Sequence, residues 1–310
     1  MSTKPSISVI VPTRNRGGLL RTCLLSLTAQ DIDPHKYEIL VCDDGSTEDI
    51  SPIIKEFQPG PPSVKLLRQS AKGPAAARNM GLRAGCASIF VCLDSDMTCE
   101  KDFVRLLAEA MESNLAWAAA EGRVVPTGGQ SSPLWDAPAN HEGTMISAAT
   151  AYRGTALRRV GGFDETFPLP ANEDFEVGIR LSAIGTFGYV PEAVAYHPRR
   201  RVTFATFWKW RSFWRFTSII AMRYGVFGVP NRGKITHHPR LRTALAALVT
   251  LPTGRLIRAG RYGVHNPRMG LLAVSHAIFE FVCGLCALPE IMLSPCPERE
   301  NYLSNEVKSG

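Results

Sequence analysis

Short apolar runs of strand length alternate with segments of helical periodicity through the first third of the chain. Residues 6–12 read as a strand, and Gly18–Gln30 sets Leu19, Leu20, Cys23, Leu24 and Leu27 at helical spacing. The rhythm predicts further strands at 37–42, 64–67 and 89–93, with helices near 48–57, 75–84 and 99–113. Such alternation implies an α/β fold with a mainly parallel sheet covered by helices. After Ala116–Val125 it breaks into PTGGQSSP at 126–133, a loop of the kind that serves as an active-site flap. Order resumes over Ile146–Val160. Glu173–Ile184 then predicts a helix with Phe175, Ile179 and Leu181 on or near its buried side.

Beyond His197 the composition turns to Arg, Trp and Phe, and later to apolar stretches at 241–251 and 269–288. Two regions are therefore expected: residues 1–200 as the α/β domain, and residues 201–310 as a helical, basic and aromatic extension. The stretch 269–288 is about long enough to span a bilayer, but His276 and Glu280 interrupt it. Lying in the membrane interface, or packing as a hydrophobic hairpin, fits it as well as spanning does.

Composition narrows the classes. A 310-residue chain with 45% hydrophobic residues can bury a large core, which excludes general disorder. The N-terminus enters a strand at once, without a charged and apolar leader, so the α/β part is expected to face the cytosol. The eight cysteines show no disulfide-framework spacing, and Cys283 and Cys286 read as helix packing rather than a metal or redox pair. Charge is unevenly spread: Ala193–Phe279 holds 15 Lys and Arg with no acidic residue, leaving 20 basic against 28 acidic residues elsewhere. Such a segment attracts anionic lipid head groups or a phosphorylated acceptor. Nucleic acid is not expected, because no nucleic-acid-binding motif accompanies these charges.

Three carboxylate clusters carry the candidate chemistry: Asp43-Asp44 in YEILVCDDGSTED, Asp94 and Asp96 in SIFVCLDSDM, and Glu173-Asp174 in NEDFEVGIRL. The first two follow buried-type strands, and open α/β sheets bind ligands at the carboxyl ends of their strands. Two carboxylates one residue apart can hold a hard divalent cation and leave room for diphosphate oxygens. A solvated acidic turn, a capped helix start and first-turn carboxylates on a helix dipole are the plainer readings of the three clusters. Pro12, Thr13 and Arg14 follow the first strand and could line a pocket. Lys72-Gly73-Pro74 and Ala75–Ala77 supply small residues for close approach, with Arg78 available to an anion.

Taken together, ISVIVPTRNR, DDGST, GPAAARNMGL, LDSD, GGFDETF and the downstream Glu-Asp resemble, in their order, the family 2 inverting glycosyltransferases. The resemblance runs from about Ile7 to His197. It implies a GT-A fold, a nucleotide-diphosphate sugar donor, and a divalent cation, Mn²⁺ or Mg²⁺. It places Asp96 on the metal, Asp94 on the ribose or the metal, and His197 on the metal or diphosphate. Asp44, with Asp43, falls to the nucleotide, as do Pro12, Thr13, Arg14, Lys72 and Arg78. Asp174 becomes the base that deprotonates the acceptor hydroxyl, with Glu173 as a secondary acid, and Arg199–Arg201 would extend the phosphate surface. The Gln-x-x-Arg-Trp element of processive synthases is absent, so one transfer per acceptor engagement is expected, to a saccharide or lipid-linked acceptor. Phe207, Trp208, Trp210, Phe213, Trp214 and Phe216, interleaved with basic residues, are expected at an anionic membrane surface. The competing readings are a catalytically silent nucleotide-binding scaffold and a sugar nucleotidyltransferase.

Overall fold

A computed structural model describes residues 4–129, 135–137, 139–140, 146–167 and 172–201, with positions 203, 220, 274 and 278. Met1–Gly129 and Ala137–Arg200 belong to one compact unit. The aromatic segment 207–216, the stretch 241–251, nearly all of 269–288 and the pair Cys283 and Cys286 lie outside the described residues, as does the second half of the predicted loop at 126–133, whose first two residues end β6. Among the described residues no helix is long and apolar enough to cross a membrane.

The chain runs through β1 (Ile7–Thr13), α1 (Gly17–Thr28), β2 (Tyr37–Asp44), α2 (Ser51–Lys55), β3 (Ser63–Gln69), α3 (Pro74–Ala84) and β4 (Ile89–Leu93). It continues with β5 (Thr98–Cys99), α4 (Phe103–Ser113), β6 (Trp117–Thr127), β7 (Trp135–Asp136), β8 (Ala149–Arg153), α5 (Gly154–Arg159), α6 (Glu173–Ser182), β9 (Thr186–Pro198) and β10 (Arg200–Arg201). Eight strands form one sheet in the order β3-β2-β1-β4-β8-β6-β9-β5. The expected α/β architecture is present. The pairs β1 with β2, β2 with β3, β1 with β4 and β6 with β9 are parallel. The antiparallel pairs come from β8 against β4 and β6, and from β5 against β9.

Burial explains these choices. All residues of β2 and β4 are buried, as in a strand covered on both faces. Leu20, Cys23, Leu24 and Leu27 of α1 are buried in one core layer with Val9, Val11, Ile39 and Val41. On the opposite face, Ala75, Ala77 and Leu82 of α3 pack with Ile10, Leu40, Cys42 and Cys92. Helix α2 is shorter than the predicted 48–57 because Pro52 sits in its first turn, where a missing N–H is harmless. Helix α4 starts at Phe103 rather than 99 because Thr98 and Cys99 pair with Tyr196 and Ala195 as β5. In α6, Ile179 and Leu181 are buried as predicted, and Phe175 is half-buried.

Candidate active site

The sheet order delivers the carboxyl ends of β1, β2 and β4 to one edge. In-register pairing puts Thr13 beside Asp43, and Ile10 beside Cys92. From this edge β4 releases Asp94 and Asp96, and α6 begins with Glu173 and Asp174 after Asn172 turns the chain at φ 65°.

Arg78 joins the two acidic groups. Its Nη2 donates to Asp94 Oδ1 at 2.9 Å, and its Nη1 donates to Glu173 Oε1 at 2.8 Å, while the side chain itself is almost wholly buried. It also faces the Phe163 ring at 5.6 Å. Burial acts to lower the guanidinium's affinity for its proton, and the carboxylates of Asp94 and Glu173 outweigh that effect and raise it. Glu173 is pushed up to about 7, by burial first and by the charge of Asp174 second, against the pull of Arg78. Asp174 is half-buried as a residue, yet burial is the largest influence on its carboxyl and lifts it above the usual carboxylate range. Arg78 and the N–H groups of Phe175 and Ser147 oppose that lift. Asp174 Oδ1 accepts from Phe175 N at 2.8 Å, and Oδ2 accepts a long bond from Ser147 N at 3.4 Å. A weakly occupied oxygen on a carboxyl of raised basicity is the arrangement a general base requires. The hydroxyls of Ser147 and Tyr152 are buried without a hydrogen-bond partner among the described residues.

Asp96 is buried and faces three nitrogen groups. Arg16 Nη1 lies 2.9 Å from Oδ2, Arg200 Nη2 contacts the same oxygen, and His197 Nε2 stands 3.6 Å away. Neither Asp96 oxygen accepts a hydrogen bond of regular geometry. His197 Nδ1 lies 2.9 Å from the Pro198 carbonyl, which can only accept, so Nδ1 carries the proton. Nε2 is the ring nitrogen on the side of Asp96. No group of three His, Cys, Asp or Glu among the described residues forms a closed metal cage. A buried acid, a second acid two residues away and an imidazole nitrogen nevertheless fit a hard divalent cation. Such ions are commonly held by one or two carboxylates, with substrate phosphates and water completing the shell.

The other predicted residues lie around the strand ends. Asp43 accepts from Ser46 N at 2.9 Å and pairs with Arg68 at 2.8 Å. Asp44 accepts from Gln69 Nε2 at 2.9 Å, Lys72 N at 2.8 Å and Gly73 N at 2.9 Å. Both carboxylates thus organise their own loop, and Asp44 shapes the turn where Gly73, at φ 99°, leads into α3. Thr13 Oγ1 is buried without a partner, Pro12 is half-buried, and Arg14 and Lys72 are exposed.

Several residues were not anticipated. Arg16 lies past β1 in an Asn-Arg-Gly-Gly turn that has no periodicity. Asn15 accepts from Thr47 N at 2.7 Å and donates its own N–H to Ser46 Oγ at 2.9 Å, while Glu48 accepts from Gly17 N at 2.8 Å. These bonds stitch the loop after β1 to the loop after β2. Asn79 performs a similar service for GGFDETF: its Nδ2 donates to the Phe163 carbonyl at 2.8 Å and its Oδ1 accepts from Phe163 N at 2.8 Å. Gly162, at φ 77°, lies so close that a Cβ there would meet Asn79 Oδ1 at 2.4 Å. These partners are separated by 31 to 84 positions, so only the residue types preferred in turns could have pointed to them.

A mixed sheet with parallel strands at its acidic ends and a half-buried base candidate at a helix start belongs to the GT-A class of folds. Residues 8–145 match the family described as Glycosyl transferase family 2. The chain is 31% identical over 215 residues to the pre-mycofactocin glycosyltransferase of Mycobacterium tuberculosis, covering 63% of this chain and 43% of that protein. It is 26% identical over 196 residues to the chondroitin synthase of Escherichia coli, covering 60% and 28%. It thus spans less than half the length of these curated relatives. In fold it is similar to a mannosyltransferase from Pyrobaculum calidifontis in complex with GDP-Man and Mn²⁺, with TM-score 0.61, 16% identity, and 92% and 87% of the two chains covered. It is also similar to S. aureus TarS 1–349 in complex with UDP-GlcNAc, with TM-score 0.55, 18% identity, and 70% and 67% covered.

Proposed function

We propose that the chain transfers a sugar from a nucleotide-diphosphate donor to an acceptor hydroxyl, with inversion at the anomeric carbon. The observation that carries this reading is the Arg78 bridge, which sets the donor-side carboxylate Asp94 and the base-side pair Glu173-Asp174 on one guanidinium. The TarS and mannosyltransferase structures, in complex with UDP-GlcNAc and with GDP-Man and Mn²⁺, support the donor class.

Asp96, with Asp94 and His197, would hold a Mn²⁺ or Mg²⁺ ion, which supplies neutralisation of the charge developing on the leaving diphosphate. Thr13, with its unpartnered hydroxyl, and the stitched loops around Pro12, Arg14, Asp43, Asp44 and Lys72 form the nucleotide end. Asp174 takes the proton of the acceptor hydroxyl, whose oxygen bonds to the anomeric carbon as the bond to the diphosphate breaks on the opposite face. Glu173 and Arg78 position that carboxylate. Residues 1–200 are the catalytic domain, and residues 201–310 are an extension that meets an anionic membrane surface and presents a saccharide or lipid-linked acceptor. Each engagement transfers one sugar.

The test is release of nucleoside diphosphate from UDP-, GDP- and dTDP-sugars with Mn²⁺ or Mg²⁺, in the presence of membrane lipid extract. Asp174→Asn is expected to lower kcat by about 10²- to 10⁴-fold, with nucleotide affinity unchanged. Turnover by this variant equal to wild type removes Asp174 as the base, and no binding of any nucleotide removes the reading as a whole.

A further inference from the structure

Three positively charged or chargeable groups converge on a single atom, Asp96 Oδ2. The Asp96 side chain is fully shielded from solvent, whereas those of Arg16 and Arg200 are 36% and 51% exposed. The two guanidinium groups therefore come in from the mouth of the site and close over a buried acid. They arrive from separate elements, the turn before α1 and the strand β10.

One carboxylate facing two guanidinium groups is over-neutralised, and the two cations repel each other across it. Asp94 shares its charge with Arg78, which holds its Oδ1. A divalent cation at Oδ2 would compete with both arginines for the same lone pairs. If the arginines stayed, it would add two more positive charges at a site where low polarisability magnifies repulsion. A diphosphate changes that balance. Its oxygens bring compensating negative charge, and the planar fork of a guanidinium matches them in pairs.

We propose that Arg16 and Arg200 are placeholders on Asp96 that move onto the diphosphate of an arriving nucleotide, so that cation and donor bind as a mutually dependent pair. The inference rests on the donor-site reading given under the proposed function. By linkage, whatever factor the nucleotide adds to cation affinity, the cation adds to nucleotide affinity. Removing a placeholder has opposite effects on the two ligands: the cation alone gains access to Asp96, and the diphosphate loses a partner. An arginine that never moves to the diphosphate also repels the cation, but its removal leaves the gain from nucleotide unchanged.

The experiment titrates the full chain with Mn²⁺ alone, following the electron paramagnetic resonance signal of the free ion, and repeats the titration with saturating UDP or GDP. For wild type the nucleotide is expected to raise Mn²⁺ affinity by on the order of tens-fold. Arg16→Gln and Arg200→Gln are made separately, so that misfolding of one leaves the other to report. Mn²⁺ alone binding about 5-fold or more tightly in either variant, with a smaller gain from nucleotide, supports the proposal. Binding no tighter than wild type in both, or a gain from nucleotide unchanged in both, overturns it, and leaves the donor site standing if Asp96→Asn abolishes Mn²⁺ binding. Mn²⁺ binding that survives Asp96→Asn overturns the site reading itself, and the placeholder role with it.

Discussion

Asp44 accepts three hydrogen bonds from a segment about 28 residues away, and two of the donors are backbone N–H groups at the entrance to α3. Asp44→Ala leaves those donors buried or half-buried without an acceptor, and a loss of about 2–4 kcal/mol is expected, read as a fall in denaturant midpoint. Nucleotide affinity should fall as well, because the turn that carries Lys72 loses its anchor. Unchanged stability would show that water replaces the carboxylate. Asp43, Asp44, Asp94 and Asp96 were legible in the sequence, because a strand-length apolar run that ends in Asp announces its own ligand edge, whereas Glu173 and Asp174 could be read from periodicity only as the start of a helix. Their partners were not legible. Arg16 has no periodic neighbour to mark it, and Asn79 looks like one more polar residue of α3 until Phe163 is seen folded back against it.

Helix α3 rests on the sheet through its small residues, and Gly81 marks the closest approach. A Cβ built there would lie 2.9 Å from Ile10 Cγ1 and Cγ2 and 3.0 Å from Cys42 Sγ. Helix propensity favours Gly81→Ala by about 1 kcal/mol, whereas forcing a methyl into a packed layer costs about 1–3 kcal/mol. Because both neighbours belong to buried strands that cannot shift freely, the steric effect wins. Thermal unfolding should show the alanine variant to be the less stable, and a rise in Tm would mean that α3 can lift from β1. At this scale the α/β alternation was legible up to α4, since the strands are short apolar runs and the longer helices carry the 3.6 spacing, with the two-residue β5 the exception. The antiparallel insertion of β8 was not, because its sequence ATAYR is short and reads equally as the start of a helix. Its place between β4 and β6 is fixed by pairing of Ile89 with Arg153 and of Ala119 with Tyr152, a long-range relation without a local signature.

For the molecule as a whole, the buried acids beside Arg78 tie stability to pH. Glu173 is raised from 4.5 to about 7, mainly by burial, so between these values the folded chain holds a proton that the unfolded chain has released. Stability then falls as pH rises through that window. The contribution is fully present below about 4.5 and is lost once pH passes about 7. Glu173→Gln should flatten this part of the stability profile, measured by urea unfolding from pH 5 to 8. A slope identical to wild type would assign the titration to another group. The stitching of Asn15 to Ser46 and Thr47, and of Gly17 to Glu48, has a practical bearing on redesign. A grafted loop taken from another enzyme would arrive without its counterpart and strand the donors on the side left behind. The segments 13–17 and 43–48 therefore behave as one cassette, to be exchanged together or left alone.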